Sequence, residues 1–230
     1  MDLHFLGVGS AYNPAMKNTS AYLAIGRSMI LFDCGETVFE SLFNRKLPDH
    51  FDEFYVLITH CHADHVGSLG SFISYCHFCQ KKTVHVCFPS EQIVQYLALS
   101  GVVGSMYEYI GKPSALTISG LTITSVEVNH DPLIPCYGYL VQTSDYCFFY
   151  GGDSTQIPSE ITDLLTKNKI DKIYQDTSYE FYCSNNIHGS LEGLCQQIPE
   201  EYRHKIVCMH FNHPFADKIE ACGFRTAICD

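Results

Sequence analysis

The sequence predicts a single mixed α/β unit spanning 1–230, and three observations carry that reading. Short apolar runs alternate with helical patterns from end to end, no Pro/Ser-rich linker or repeat interrupts them, and several apolar runs end directly in histidine or aspartate. The length of 230 residues suits one substantial core, and 46% hydrophobic with 17% charged residues is ordinary globular composition.

In chain order, strands are expected at 2–6, 20–25, 28–32 and 54–59, and helices at 37–45 and 67–79. The run Phe54-Tyr55-Val56-Leu57-Ile58-Thr59 is aromatic and branched aliphatic, the pattern of a buried strand, and Val66-Gly67-Ser68-Leu69 begins the helix behind it. A strand at 83–88 leads to a helix at 90–99 that starts at Ser90. Strands at 121–128, 136–143 and 146–150 follow, the first closing a hairpin from Ile118 around Ser119-Gly120. The remaining strands are 170–175, 205–209 and 225–229; the remaining helices are 158–167, 190–197 and 215–221, with Pro158 and Ser190 where helix starts prefer them.

Between the strand at 54–59 and its helix lies His60-Cys61-His62-Ala63-Asp64-His65, four potential metal ligands in one turn. Imidazole and carboxylate are donors that zinc takes, and H-x-H-x-D-H spacing lets them point in different directions, enough to feed two ions. A lone H-x-H would more often be surface or hydrogen-bonded histidine; three histidines and an aspartate within six residues favour metal. Manganese, iron or cobalt suit the same donors. Other strands also end in ligand types: 121–128 reaches His130, 146–150 reaches Asp153, and 205–209 reaches His210. Singly, each is an ordinary polar strand end; with the loop they make seven donors.

Net charge argues against one function class. With 25 acidic against 14 basic residues the chain carries −11, and extended nucleic-acid binding needs clustered Lys and Arg to neutralise phosphates. The opening Met1-Asp2-Leu3-His4-Phe5-Leu6 lacks the basic-then-apolar pattern of a secretory signal, and no apolar run reaches membrane-spanning length. A cytoplasmic protein without membrane contact is expected, and its twelve cysteines are read as reduced thiols. Cys76-x-x-Cys79 has no second pair to complete a structural zinc site.

Taken together, H-x-H-x-D-H at 60–65, His130, Gly-Asp at Asp153 and His210 resemble the metallo-β-lactamase fold hydrolases over nearly the whole chain. That resemblance implies a four-layer αβ/βα sandwich holding two Zn²⁺. It assigns His60, His62 and His130 to the first ion, Asp64, His65 and His210 to the second, and Asp153 as their bridge. Within the superfamily, Phe5-Leu6-Gly7-Val8-Gly9-Ser10-Ala11 and Asn18-Thr19-Ser20-Ala21-Tyr22-Leu23 look like the tRNA 3′-processing endonucleases and their phosphodiesterase relatives. Asp33 matches the strand-end aspartate expected to orient a ligand histidine. His188 and Asp176 match the non-ligand histidine and its acidic partner, with Asp standing where Glu is usual; Asp64 joins them as a catalytic group.

The long Lys-containing arm that grips tRNA in those endonucleases has no counterpart between Asp153 and Asp176. The compact relatives include anti-Pycsar cyclic-nucleotide phosphodiesterases. The resemblance therefore implies a homodimeric hydrolase of small phosphodiesters, foremost 3′,5′-cyclic nucleotides, in which metal-activated water attacks phosphorus and His188, steered by Asp176, protonates the leaving alkoxide. A tRNA 3′-processing endonuclease and a thiolester hydrolase of the glyoxalase type are the alternatives, and a degenerate nucleotide-binding scaffold is the non-enzymatic one.

Overall fold

The computed structural model describes residues 3–111, 115–179 and 187–229. Residue 2, where the first expected strand begins, lies outside them. The chain divides into two compact units, one of Met1–Pro113 with Cys229–Asp230 and the other of Ser114–Ile228.

The first unit contains β1 (His4–Gly7), β2 (Ser20–Ile25), β3 (Ser28–Phe32), α1 (Val38–Asn44), β4 (Glu53–Leu57), α2 (Ala63–Val66), α3 (Leu69–Tyr75), β5 (Val84–Cys87), α4 (Gln92–Leu99) and β6 (Glu108–Ile110). Its six strands pair in sequence order; β1, β2 and β3 run antiparallel, then β3 to β6 run parallel. Burial explains the pattern. All five residues of β3 are buried, as a strand covered on both faces requires, while α1 buries Val38 and Leu42 and α4 buries Ile93 and Leu97, each pair one helical turn apart. Phe54 of β4 meets Phe72 of α3 edge to face at 5.4 Å between ring centroids.

The second unit holds β7 (Leu116–Ile118), β8 (Leu121–Glu127), β9 (Tyr137–Gln142), β10 (Cys147–Tyr150), α5 (Ser159–Thr166), β11 (Lys172–Asp176), α6 (Leu191–Gln197), β12 (Ile206–Met209), α7 (Ala216–Ala221) and β13 (Arg225–Thr226). It repeats the plan of the first. β7 to β10 form an antiparallel meander, and β10 to β13 continue in parallel. In both sheets the parallel strands send their C-terminal ends to one edge, where open α/β sheets keep their ligands.

The expected elements are present with three differences. The helix expected at 67–79 starts only at Leu69, as α3, separated from the short α2 before it, because Ser68 spends its groups on β3's exit: its N–H donates to Cys34 O at 3.1 Å and its hydroxyl to Gly35 O at 2.5 Å. α3 then relaxes into a π-helical turn at Cys76–Gln80 that stops at Lys81 in left-handed backbone. The strand expected at 225–229 keeps only Arg225 and Thr226, while Cys229 bridges to Phe5 in the first unit. The third is β6, a three-residue edge strand that sequence reading passed over. Ser190 does cap α6, accepting from Gly193 N–H at 3.0 Å. Among the described residues no cysteine is in a disulfide and no helix is long and apolar enough to cross a membrane.

Candidate functional site

In the first unit the ligand loop follows β4 and is buttressed by the end of β3. Asp33, fully buried and in left-handed backbone, accepts Thr59 N–H at 2.8 Å and the Thr59 hydroxyl at 2.9 Å. The same carboxylate lies 2.9 Å from His65 Nδ1. Burial pushes the Asp33 carboxyl above its ordinary pKa, while the His65 ring and Thr59 pull against that rise. With Nδ1–H donating to Asp33, the His65 lone pair sits on Nε2, the atom a metal takes and the one 3.2 Å from Asp64 Oδ2.

The backbone holds this loop as tightly as the side chains do. Cys34 N–H donates to His65 O at 2.7 Å, and a Cβ on Gly35 would fall 1.8 Å from Asp64 O, so only glycine allows the strand end this close. His60 Nε2 and His62 Nδ1 converge to 2.9 Å, and His60 Nδ1 is 3.1 Å from the Thr59 hydroxyl. His60, Asp64 and His65 are buried; His62 is half-buried. Thr59 touches Asp33, His60 and His65 at once, and sequence reading took it only as the end of a strand. Its signal was a hydroxyl beside the first ligand on an otherwise apolar run.

In the second unit the expected residues also meet. Asp153 follows β10, Asp176 ends β11, and His210 follows β12 in left-handed backbone. Asp153, Asp176, His188 and His210 bring one donor atom each within 4.8 Å of one another, a group able to hold a cation. His210 Nε2 stands 3.4 Å from Asp153 Oδ1, and His130 Nε2 stands 3.7 Å from Asp153 Oδ2. His130 Nδ1 bonds Ile187 O at 2.7 Å, which leaves the Nε2 lone pair toward Asp153; burial holds this imidazole below its ordinary pKa, in the neutral form that ligates.

His188 and Asp176 make a close contact in this cluster, Nδ1 to Oδ2 at 2.7 Å. Burial works against charge on His188, but the Asp176 carboxylate outweighs it and the pKa rises overall. Asp176 Oδ2 also accepts Ser154 N–H at 3.3 Å, which ties the dyad to the residue after Asp153. The Gln175 amide nitrogen holds Ser154 as well, at 2.8 Å to its hydroxyl and 3.1 Å to its carbonyl, a buried brace that the sequence did not signal.

The fold has close solved relatives in shape. A diphosphatase of the PhnP family superposes with TM-score 0.77 at 17% identity, covering 99% of this chain and 94% of that one. The short form of human tRNase Z gives 0.70 at 18% identity, with 92% and 93% covered. The architecture is the metallo-β-lactamase fold, and its His/Asp clusters are able to hold metal. In sequence, the anti-Pycsar protein Apyc1 of Bacillus phage vB_BsuM-Goe3 is 36% identical over 248 residues, covering 96% of this chain and 93% of the relative. The family model described as "Anti-Pycsar protein Apyc1" matches residues 1–229, and the chain belongs to that family.

Proposed function

We propose that the protein is a zinc-dependent phosphodiesterase that opens 3′,5′-cyclic nucleotides to nucleoside monophosphates, acting in the cytoplasm as a homodimer of single-domain chains. The His188–Asp176 dyad, 2.7 Å across and beside Asp153 and His210, is the observation that supports it most directly. Ester hydrolysis needs a proton delivered to the departing oxygen, and a histidine whose pKa a buried carboxylate raises is suited to deliver one.

The donors suit divalent metal. Each of His65 and His130 has its Nδ1 engaged, by Asp33 and by Ile187 O, so that Nε2 is the nitrogen offered to an ion. On the family pattern His60, His62, Asp64, His65, His130, Asp153 and His210 would hold Zn²⁺, and Mn²⁺ would suit the same donors. Bound there, divalent metal would supply an activated water and charge stabilisation for phosphate displacement. The chain does the rest: Asp33 and Thr59 fix His65, Asp176 fixes His188 Nδ1, and His188 Nε2 gives its proton to the leaving alkoxide.

Hydrolysis by metal-loaded protein of cyclic purine and pyrimidine nucleotides, a 3′-extended precursor tRNA, a generic phosphodiester and a thiolester, each with a chelator control, tests this reading. Chelator-sensitive turnover of cyclic nucleotides with intact tRNA is expected. Cleavage of tRNA, or turnover of the thiolester alone, would replace the substrate assignment.

A further inference from the structure

The loops leaving β11 and β12 carry a second constellation that the chemistry above does not use. β11 and β12 are neighbouring parallel strands with Asp176 paired to Met209, so both loops leave one edge. Tyr179 stands three residues beyond Asp176, and His213 three beyond His210. Their rings meet edge to face at 5.7 Å, with Phe215 packed 5.5 Å from Tyr179 and the Lys218 ammonium 3.6 Å from the Tyr179 centroid. Tyr179 and His213 are half-buried, so part of each ring still faces outward.

Between the last histidine donor and this aromatic corner lies Asn212. Its Oδ1 accepts His213 N–H at 3.1 Å, which fixes the orientation of the amide. The other end, Nδ2, is buried and has no hydrogen-bond partner among the described residues. A buried amide donor without an acceptor is costly, and native proteins rarely keep one without a use.

We propose that Asn212, Tyr179 and His213 form the nucleobase subsite of the phosphodiesterase. The inference rests on the reading above and names what lies beyond the phosphate. Asn212 Nδ2 donates to a carbonyl oxygen or ring nitrogen on the base edge, and the rings pack its face, as aromatic side chains do with bases generally. A neutral amide beside aromatic rings suits a flat neutral heterocycle better than an anion, and Lys218 already directs its charge into the Tyr179 ring. Asn212 follows His210 by two residues, which limits the Cα separation to about 7 Å and keeps the subsite within one sugar of the phosphate.

Asn212→Asp is the discriminating variant, because it keeps the oxygen that accepts His213 N–H and replaces the amide donor by an acceptor. Calorimetric binding of nucleoside 5′-monophosphates and of ribose 5-phosphate reads the subsite without catalysis. The preference for nucleotide over sugar phosphate is expected to fall about tenfold, the loss of one hydrogen bond. The ratio of kcat/KM for a cyclic nucleotide to that for bis(4-nitrophenyl) phosphate falls with it, and Tyr179→Leu moves both in the same direction. Equal losses on both ligands, or an unchanged preference, would overturn the subsite. Wild-type protein that cleaves no phosphodiester yet shows the binding preference would leave the subsite standing and remove the proposed reaction.

Discussion

The two halves of the chain share a sheet plan, antiparallel strands followed by parallel ones, but gather their donors in opposite ways. In the first half, His60, His62, Asp64 and His65 come from one loop, and a single neighbouring strand end supplies Asp33 behind them. In the second, His130, Asp153, Asp176 and His210 are delivered by the ends of four strands, with His188 brought in by the segment before α6. A local set depends on the backbone of its own turn; a distributed one depends on the register of a sheet. The distributed set also contains the His188–Asp176 pair, to which we assign proton delivery; on that proposal the second half positions chemistry while the first mainly holds charge.

Breaking the distributed set at its centre should have the largest effect. Asp153→Ala is expected to lower phosphodiester turnover by more than about 10³-fold, since several kcal/mol of charge stabilisation depend on the ions it would hold. Metal content measured on the same preparation should fall with activity; full metal content with unchanged turnover would remove Asp153 from the site. His188→Ala comes next, at about 10²-fold or more for an alkoxide leaving group. With a 4-nitrophenolate leaving group, which departs without a proton, the loss should be much smaller, and equal losses on both esters would argue that His188 ligates metal instead.

Asp33→Ala is expected to cost about 10–100-fold in metal affinity, the usual cost of removing a group that orients a ligand histidine. That prediction sharpens the comparison, because the Asp33 carboxylate meets its half through His65 and Thr59. Metal titration of the variant decides it: a wild-type affinity would mean that the loop backbone alone positions His65.

The same contrast governs what could be read from sequence. The loop at 60–65 was legible because its donors are adjacent, and the strands around it because their apolar runs are short and bounded. His130, Asp153 and His210 were visible only as strand ends, and sheet order, which brings them together, is a long-range property that no local pattern reports. The break between α2 and α3 was hidden for a related reason: Ser68 answers to Cys34 and Gly35, thirty-odd residues earlier. β6 was missed because a three-residue edge strand, exposed at Glu108 and half-buried at Tyr109 and Ile110, has no periodicity to detect. Asn212 carried no signal at all, since a lone asparagine in a loop is ordinary until its amide is found buried.

Two glycines test whether backbone closeness matters equally in both halves. A Cβ at Gly35 would meet Asp64 O at 1.8 Å, and one at Gly189 would meet Asp176 O at 2.3 Å. Neither carbonyl can swing aside as a side chain would, so each Gly→Ala change should destabilise by about 1–3 kcal/mol. For a chain of this size that is a fall in melting temperature of roughly 2–12 °C. Gly35→Ala is expected to weaken metal binding, and Gly189→Ala to slow proton delivery with metal retained; the reverse assignment would exchange the roles given to the halves.

The smallest effect separates the halves by pH. In ion-free protein both Asp33 and His188 have pKa values above their ordinary ones, Asp33 because of burial, His188 because Asp176 overcomes burial. A raised value means that the folded state holds the proton more firmly than the unfolded state, so stability falls as pH climbs through the gap between them. For Asp33 that gap opens above about 3.9, and for His188 above about 6.5. Melting temperature of chelator-treated protein should therefore decline in two windows, the acidic one abolished by Asp33→Asn and the near-neutral one by His188→Gln. The His188 window should be shallow, because its side chain is 32% exposed and solvent screens the pair. A single decline that both substitutions remove would mean that the two halves titrate as one coupled unit, and the division of labour argued from their separate donor sets would not hold.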